Sequence, residues 1–77
     1  MTGNQIKAAR SLIGWSQAQL AEAAGLSVPT VKRAEGAATI RPSPEALASI
    51  RRALEEAGVI FLEENGGGPG VRLRKSA

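Results

Sequence analysis

Residues 28–33 group side chains that can contact the edges of nucleic-acid bases. A helical projection with Val31 in the core turns five residues outward or to the flanks: Val28, Pro29, Thr30, Lys32 and Arg33. The Arg33 guanidinium can donate two parallel hydrogen bonds to guanine O6 and N7, and the Lys32 ammonium can reach guanine or a phosphate. The Thr30 hydroxyl can contact a phosphate or a base edge, and Val28 or Pro29 can contact a thymine methyl group. These residues predict a surface suited to the major groove of double-stranded DNA.

Two further polar residues lie beside predicted helix starts. The first backbone amides of a helix have no partner within the helix and attract phosphate oxygens. Gln17 and Ser27 each lie next to such a start. We therefore expect both side chains to contact the DNA backbone.

The composition argues against catalysis and against a bound metal. The chain has no Cys, His, Tyr or Asp, and its seven acidic residues, all Glu, are scattered. Thiolate and imidazole metal ligands are absent, as are His and Cys bases and nucleophiles. The glycine-rich run at 66–70 lacks the Lys-Ser/Thr pair of a phosphate-binding loop, so it is interpreted as a turn. We expect no enzyme activity, no metal, no cofactor and no small-molecule effector.

Length and charge favour one domain with a polyanionic partner. The chain has 77 residues and is 43% hydrophobic, which is enough for a packed core. Its net charge of +3 is unevenly distributed along the chain. Residues 1–54 carry seven Lys or Arg and three Glu, whereas residues 55–77 carry three Lys or Arg and four Glu. The sequence contains neither a signal peptide nor an apolar run long enough to span a membrane, and the lack of Cys fits a reducing compartment. We therefore expect a cytoplasmic protein without membrane contact.

Four helices must position these side chains. Apolar residues at helical spacing, with start and stop signals, place them at residues 4–13, 16–25, 28–35 and 43–58. The predicted N-terminal caps are Asn4 or Thr2, Ser16 with Gln19, Ser27, and Ser43. Only a three-residue turn around Gly25 separates the second helix from the third. This arrangement predicts a helix-turn-helix whose second helix enters the major groove.

The chain changes character after residue 58. Residues 59–62 are strand-forming, residues 65–70 are turn-rich, and residues 71–74 alternate apolar and basic side chains. We expect a β-hairpin that packs on the helices or pairs with another strand, because an isolated hairpin is only marginally stable.

Several other residues have two interpretations. Arg72, Arg74 and Lys75 can touch DNA non-specifically or can protect a strand edge from aggregation. Arg51 and Arg52 are interpreted as a solvated face or as partners of nearby glutamates rather than as DNA contacts. The single Trp, at position 15, is assigned to core packing or to a hydrophobic staple.

Two runs, GWSQAQLAEAAGLSVPTVKRAEG at 14–36 and RPSPEAL at 41–47, resemble the XRE family, the helix-turn-helix regulators that include Cro and the phage repressors. The resemblance covers roughly residues 5–57. It implies a mainly α, four-helix, λ-repressor-like DNA-binding domain. It also implies a two-fold dimer that reads half-sites about 34 Å apart on double-stranded DNA.

The resemblance implies roles for individual residues. Base reading is implied for Val28, Pro29, Thr30 and Arg33, with Lys32 adjacent. Together with the argument from helix starts, it gives four phosphate contacts: Arg10, Gln17, Ser27 and Arg41.

Three departures from the family pattern change these expectations. Val28 and Pro29 are less polar than the residues common there, so methyl contacts and DNA shape should carry more of the recognition. Ala34 replaces a larger aliphatic residue, so Trp15 or Phe61 should fill the space. The loop at 37–40 lacks the basic residues common there, which weakens its expected phosphate contact.

The sequence thus predicts a DNA-binding domain at 1–58 and a strand extension at 59–77 that packs or dimerises. The predicted function is transcriptional regulation, as a repressor that binds DNA as a homodimer. The alternative is a protein-interaction module, an antitoxin, antiactivator or adaptor, which binds a protein partner through residues 59–74, with or without DNA binding.

Overall fold

The computed structural model describes residues 1–37, 39–63 and 66–75. Its elements, in chain order, are α1 Gly3–Ile13, α2 Gln17–Ala24, α3 Val28–Ala34, α4 Pro44–Glu56, β1 Val59–Leu62 and β2 Gly70–Leu73. The predicted fold class, four helices followed by a two-stranded hairpin, is confirmed. Parts of the predicted loop at 37–40 and of the predicted turn at 65–70 lie outside the described residues, because residues 38 and 65 are not described.

Each helix begins at a side-chain cap. Of the two candidates for α1, Thr2 is the cap: its hydroxyl accepts from the Gln5 amide, and the Gln5 side chain accepts from the Thr2 amide. Ser16 and Gln19 form the same reciprocal pair at α2, as predicted. The two remaining helices start at Ser27 and Ser43, each followed by a proline in the first turn. These local bonds satisfy amides that would otherwise lack partners.

Glycines end the first two helices. Gly14 and Gly25 both have φ of 69°, a left-handed conformation that costs other residues a steric penalty. The Gly25 amide donates to the carbonyls of Ala21 and Glu22, which closes α2 just before the turn into α3. This turn sets the angle at which α3 leaves α2.

The core is built from all four helices and the hairpin. Its largest fully buried side chains are Ile6, Leu20, Val31, Ile50 and Leu54. Each contributes about 1.5–3 kcal/mol relative to an exposed position. Because Val31 is fully buried, the opposite side of α3 faces solvent.

Small residues bring α1 directly against the end of α3. A Cβ on Gly3 would lie 2.8 Å from the backbone carbon and oxygen of Glu35, closer than real side chains approach. Ala34, beside it, is buried. Phe61 belongs to the same core cluster, and Trp15 packs against that cluster partly buried. That either of them fills the space beside Ala34 stays a prediction.

The hairpin closes the other side of the core. β1 and β2 are antiparallel within the chain, with Val59 opposite Leu73 and Phe61 opposite Val71. Val59 and Phe61 are buried against the helices. The Gln5 side-chain amide donates to the carbonyls of Leu62, at 3.2 Å, and Gly70, at 2.9 Å, and so ties both strands to α1.

Within the described residues, no helix has the length and apolar character that crossing a membrane requires.

Candidate nucleic-acid interface

The outward side of α3 carries the residues that the sequence assigns to base reading. Pro29 and Lys32 are exposed, and Val28, Thr30 and Arg33 are half-buried at the flanks of the same side. The outward orientation predicted for Pro29 and Lys32 is confirmed, as are the flanking positions of Val28 and Thr30, whereas Arg33, predicted to point outward, is half-buried.

The Arg33 side chain is held along its own helix. Its Nη2 donates to Thr30 Oγ1 at 3.2 Å, and Thr30 Oγ1 lies 2.9 Å from Ser27 Oγ, where either hydroxyl can be the donor. Ser27 Oγ also accepts from the Thr30 amide. An arginine already restrained in this way loses less conformational entropy when it binds a second partner.

Arg41 joins this set from the loop before α4. A groove between α3 and that loop is lined by Thr30, Arg33 and Arg41, with Ile40 at its rim. Ile40 is 73% exposed, so the loop presents an apolar side chain next to the cations. The structure thus brings a predicted phosphate ligand next to the predicted base-reading residues.

A buried carboxylate at the end of α3 holds the helix in place. Glu35 Oε2 lies 2.6 Å from Arg10 Nε, and Glu35 Oε1 accepts from Arg10 Nη2 and from Gln17 Nε2, each at 3.1 Å. The Glu35 side chain is only 2% exposed and that of Arg10 19%. Arg10 Nη1 also donates to the Trp15 carbonyl at 3.0 Å. The two-pronged pair therefore joins α1, α2 and the end of α3 at one point.

The charges of this pair stabilise each other. Burial raises the pKa of the Glu35 carboxyl, but the hydrogen bonds from Arg10 and Gln17 and the charges of Arg10 and Lys7 outweigh it. The net result is a pKa below the usual range. The hydrogen bond to Glu35 raises the pKa of Arg10. Both groups are ionised at neutral pH.

Two of the predicted phosphate ligands, Arg10 and Gln17, are thus bound to Glu35 in this structure. Their contact with DNA stays a prediction, as do those of Ser27 and Arg41. Sequence reasoning did not identify Glu35 as the anchor. A signal was available, since Glu35 lies on the same side of α3 as Val31, and a buried acid requires a partner.

The arginines on α4 have partners of their own. Arg51 Nε lies 3.2 Å from Glu55 Oε2, and its guanidinium carbon is 5.2 Å from the centre of the Phe61 ring. Arg52 is exposed and donates to Ser49 Oγ at 3.3 Å. The paired interpretation of Arg51 is confirmed.

Two helices joined by a three-residue turn, with a basic outward face on the second, define a helix-turn-helix DNA-binding protein. The family model described as "Helix-turn-helix domain" matches residues 3–59, which span all four helices. The match covers more than half of the chain, and the protein belongs to this family. The family is commonly found in XRE-type regulators, in agreement with the resemblance of the sequence. A comparison with curated proteins found no match.

Proposed function

We propose that this protein is a sequence-specific transcriptional regulator that represses its target by occupying an operator in double-stranded DNA. The observation that carries the proposal is the outward face of α3, where Lys32 is exposed and half-buried Arg33 lines a groove shared with Arg41. Repression requires only that the operator be occupied, so it needs no second activity from this fold.

Base recognition is assigned to the outward face of α3. Arg33 reads guanine, with Thr30 holding its guanidinium, and Lys32 reaches a neighbouring guanine or phosphate. Val28 and Pro29 offer apolar surface to thymine methyl groups. Because only part of this set forms hydrogen bonds, DNA shape should contribute to specificity.

Backbone contact is assigned to Gln17, Ser27, Arg41 and Arg10. Ser27 Oγ lies 2.9 Å from Thr30 Oγ1, and Arg41 lines a groove with Thr30 and Arg33. Gln17 also helps to hold the Glu35 carboxylate, because its side-chain amide donates to it. Arg10 acts mainly through that carboxylate, so its contribution to phosphate contact should be the smallest of the four.

A homodimer completes the proposal. One module of this size makes too few contacts for tight operator binding, so two copies should read half-sites about 34 Å apart. We assign residues 1–58 to DNA binding and residues 59–77 to packing and dimerisation.

The proposal is tested by selecting DNA bound by the purified full chain from a pool of randomised duplexes. We expect enrichment of one motif with inverted half-sites about one helical turn apart. The double variant Lys32→Ala/Arg33→Ala should lose the enrichment, whereas Arg51→Ala/Arg52→Ala, which removes equal charge from α4, should retain it. Wild-type chain that retains DNA without enriching any motif would overturn the proposal.

A further inference from the structure

The loop before α4 carries the most exposed large hydrophobic side chain in the part of the chain that the structure describes. Ile40 is 73% exposed, whereas the other three exposed side chains of this kind, Leu12, Leu62 and Leu73, are at most 48% exposed. Single apolar residues on a protein surface are ordinary and by themselves indicate no function. Ile40 differs from the three leucines in its position, because it lies beside the cations of the candidate nucleic-acid interface.

Ile40 lines one groove together with two residues of α3. These are Thr30 and Arg33, and Arg41 lines the same groove from the loop. We call it the α3 groove. Among the residues that the structure describes, the two arginines are its only charged lining residues. A surface of this charge suits a polyanion, so Ile40 is presented to the same ligand as Arg33 and Arg41.

The fold makes little use of the Ile40 side chain. Ile40 does not belong to the core cluster, and nearly three quarters of its surface is exposed. Truncation of such a side chain leaves no cavity in the core and should change the free energy of unfolding only slightly. An effect of this residue on DNA binding can therefore be measured without a loss of folding.

Duplex DNA offers few groups that an isoleucine side chain can contact favourably. The side chain has no hydrogen-bond donor or acceptor, so it cannot pair with a phosphate or with the polar edge of a base. In the major groove the exposed apolar group is the C5 methyl of thymine. The deoxyribose rings also expose carbon atoms, but they lie along the backbone. Because Ile40 shares the α3 groove with Arg33, which is assigned to a base edge, the thymine methyl is the favoured contact.

We propose that Ile40 reads a thymine of the operator by packing against its C5 methyl group, beside the guanine assigned to Arg33. The proposal rests on the proposed operator binding and extends base reading from α3 to the loop before α4. In this arrangement Arg41, the next residue along the chain, holds the backbone while Ile40 contacts the base. The loop thus contributes to specificity as well as to affinity.

An apolar contact has a different salt dependence from a contact with phosphate. Packing of Ile40 against a methyl group removes apolar surface from water but releases no counterions from the DNA. Ile40→Ala should therefore lower the affinity by a similar factor at every salt concentration. The slope of log K against log salt should stay at the wild-type value.

Replacement of each operator thymine in turn by deoxyuridine, which removes only the C5 methyl group, tests the contact. Fluorescence anisotropy gives the affinities of wild type, Ile40→Ala and Ile40→Val for each duplex. At one thymine position the replacement should weaken wild-type binding about fourfold, which corresponds to burial of about one CH₂ group. Ile40→Ala should bind the thymine and deoxyuridine duplexes equally at that position, whereas Ile40→Val, which keeps a branched apolar side chain, should retain most of the difference.

Leu12→Ala is the matched control, because it also removes an exposed apolar side chain but one that does not line the α3 groove. This variant should respond to deoxyuridine as the wild type does, and circular dichroism verifies that all variants are folded.

A folded Ile40→Ala chain that responds to deoxyuridine like the wild type at every position would overturn the proposal. That holds even if its affinity is reduced, because the contact would then be with the sugar or the backbone. Such a result leaves the proposed operator binding intact, whereas a wild-type chain that enriches no DNA motif removes both proposals.

Discussion

The Glu35 side chain, at the end of α3, connects this helix to α1 and α2. It is almost fully buried, and its oxygens accept from Arg10 and Gln17, which belong to two other helices. A buried charge that loses its partner costs about 3–5 kcal/mol, far more than an exposed pair. The residue that joins the end of α3 to the other two helices is thus not one of those to which we assign DNA contact.

Acid should weaken this anchor. The pKa of Glu35 is lower in the folded chain than the ordinary value of 4.5, so the unfolded chain takes up the proton first as pH falls. Its contribution to the free energy of unfolding is complete above the unfolded value and is lost as pH falls through the folded one. Glu35→Gln removes this dependence. Urea unfolding should show the stability difference between wild type and variant shrinking as the pH falls through the unfolded value of 4.5 and further below it.

Glu22→Gln is the control for this experiment, because Glu22 is exposed on α2. A wild-type advantage over Glu35→Gln that is independent of pH would show that the carboxylate is not held in the charged form by its partners.

At the scale of elements, local signals predicted most of the fold. Each cap and each terminating glycine acts within about four residues, so the sequence alone indicates where the four helices begin and where α1 and α2 end, whereas α3 and α4 end one and two residues before the predicted positions 35 and 58. The contacts that assemble the elements span the chain and have no such signal. Gln5 is 57 residues from Leu62 and 65 from Gly70, so its role as a clamp for the hairpin could not be predicted. For Glu35 the helical period indicates burial beside Val31, but no local pattern indicates that its partner is Arg10, 25 residues away.

The contribution of the Gln5 side chain to the free energy of unfolding can be compared with that of Gln19. Gln5 and Gln19 both complete capping boxes at the third position of a helix, but only Gln5 is buried and also bonds to the strands. Gln5→Leu should therefore destabilise the chain more than Gln19→Leu, by about 1–3 kcal/mol for strand carbonyls left without a donor. Chemical denaturation gives the difference, and hydrogen exchange should locate it in the hairpin. Equal losses for the two variants would contradict the clamp.

At the scale of the whole molecule, the anchored α3 and the loop before α4 combine into one basic surface. The sequence predicted Arg33 and Arg41 separately, each from its own motif. Their shared place in one groove depends on how the residues before α4 pack beside α3, which no local pattern specifies. The outward face of α3 was predictable because the helical period fixes which residues lie opposite Val31 once Val31 is assigned to the core.

The salt dependence of DNA binding should show how many of these cationic side chains contact phosphates. Each neutralised phosphate changes the slope of log K against log salt by about −0.9. Binding should therefore weaken steeply with salt, and Arg41→Ala should reduce the slope by about one unit. Arg52→Ala, on α4, should leave it unchanged. Fluorescence anisotropy with a labelled operator between low and moderate salt provides the slopes, and salt-insensitive binding would contradict backbone contact.

If α3 reads base sequence through Arg33, removal of this side chain should alter both affinity and discrimination between base pairs. Affinities of wild type, Arg33→Ala and the control Arg52→Ala are compared for the selected operator and for its single-base-pair variants. We expect Arg33→Ala to lose about 1–3 kcal/mol on the operator and to discriminate less at one G·C pair of each half-site only, while Arg52→Ala behaves as wild type. An Arg33→Ala chain with undiminished affinity and discrimination at every position would contradict the claim.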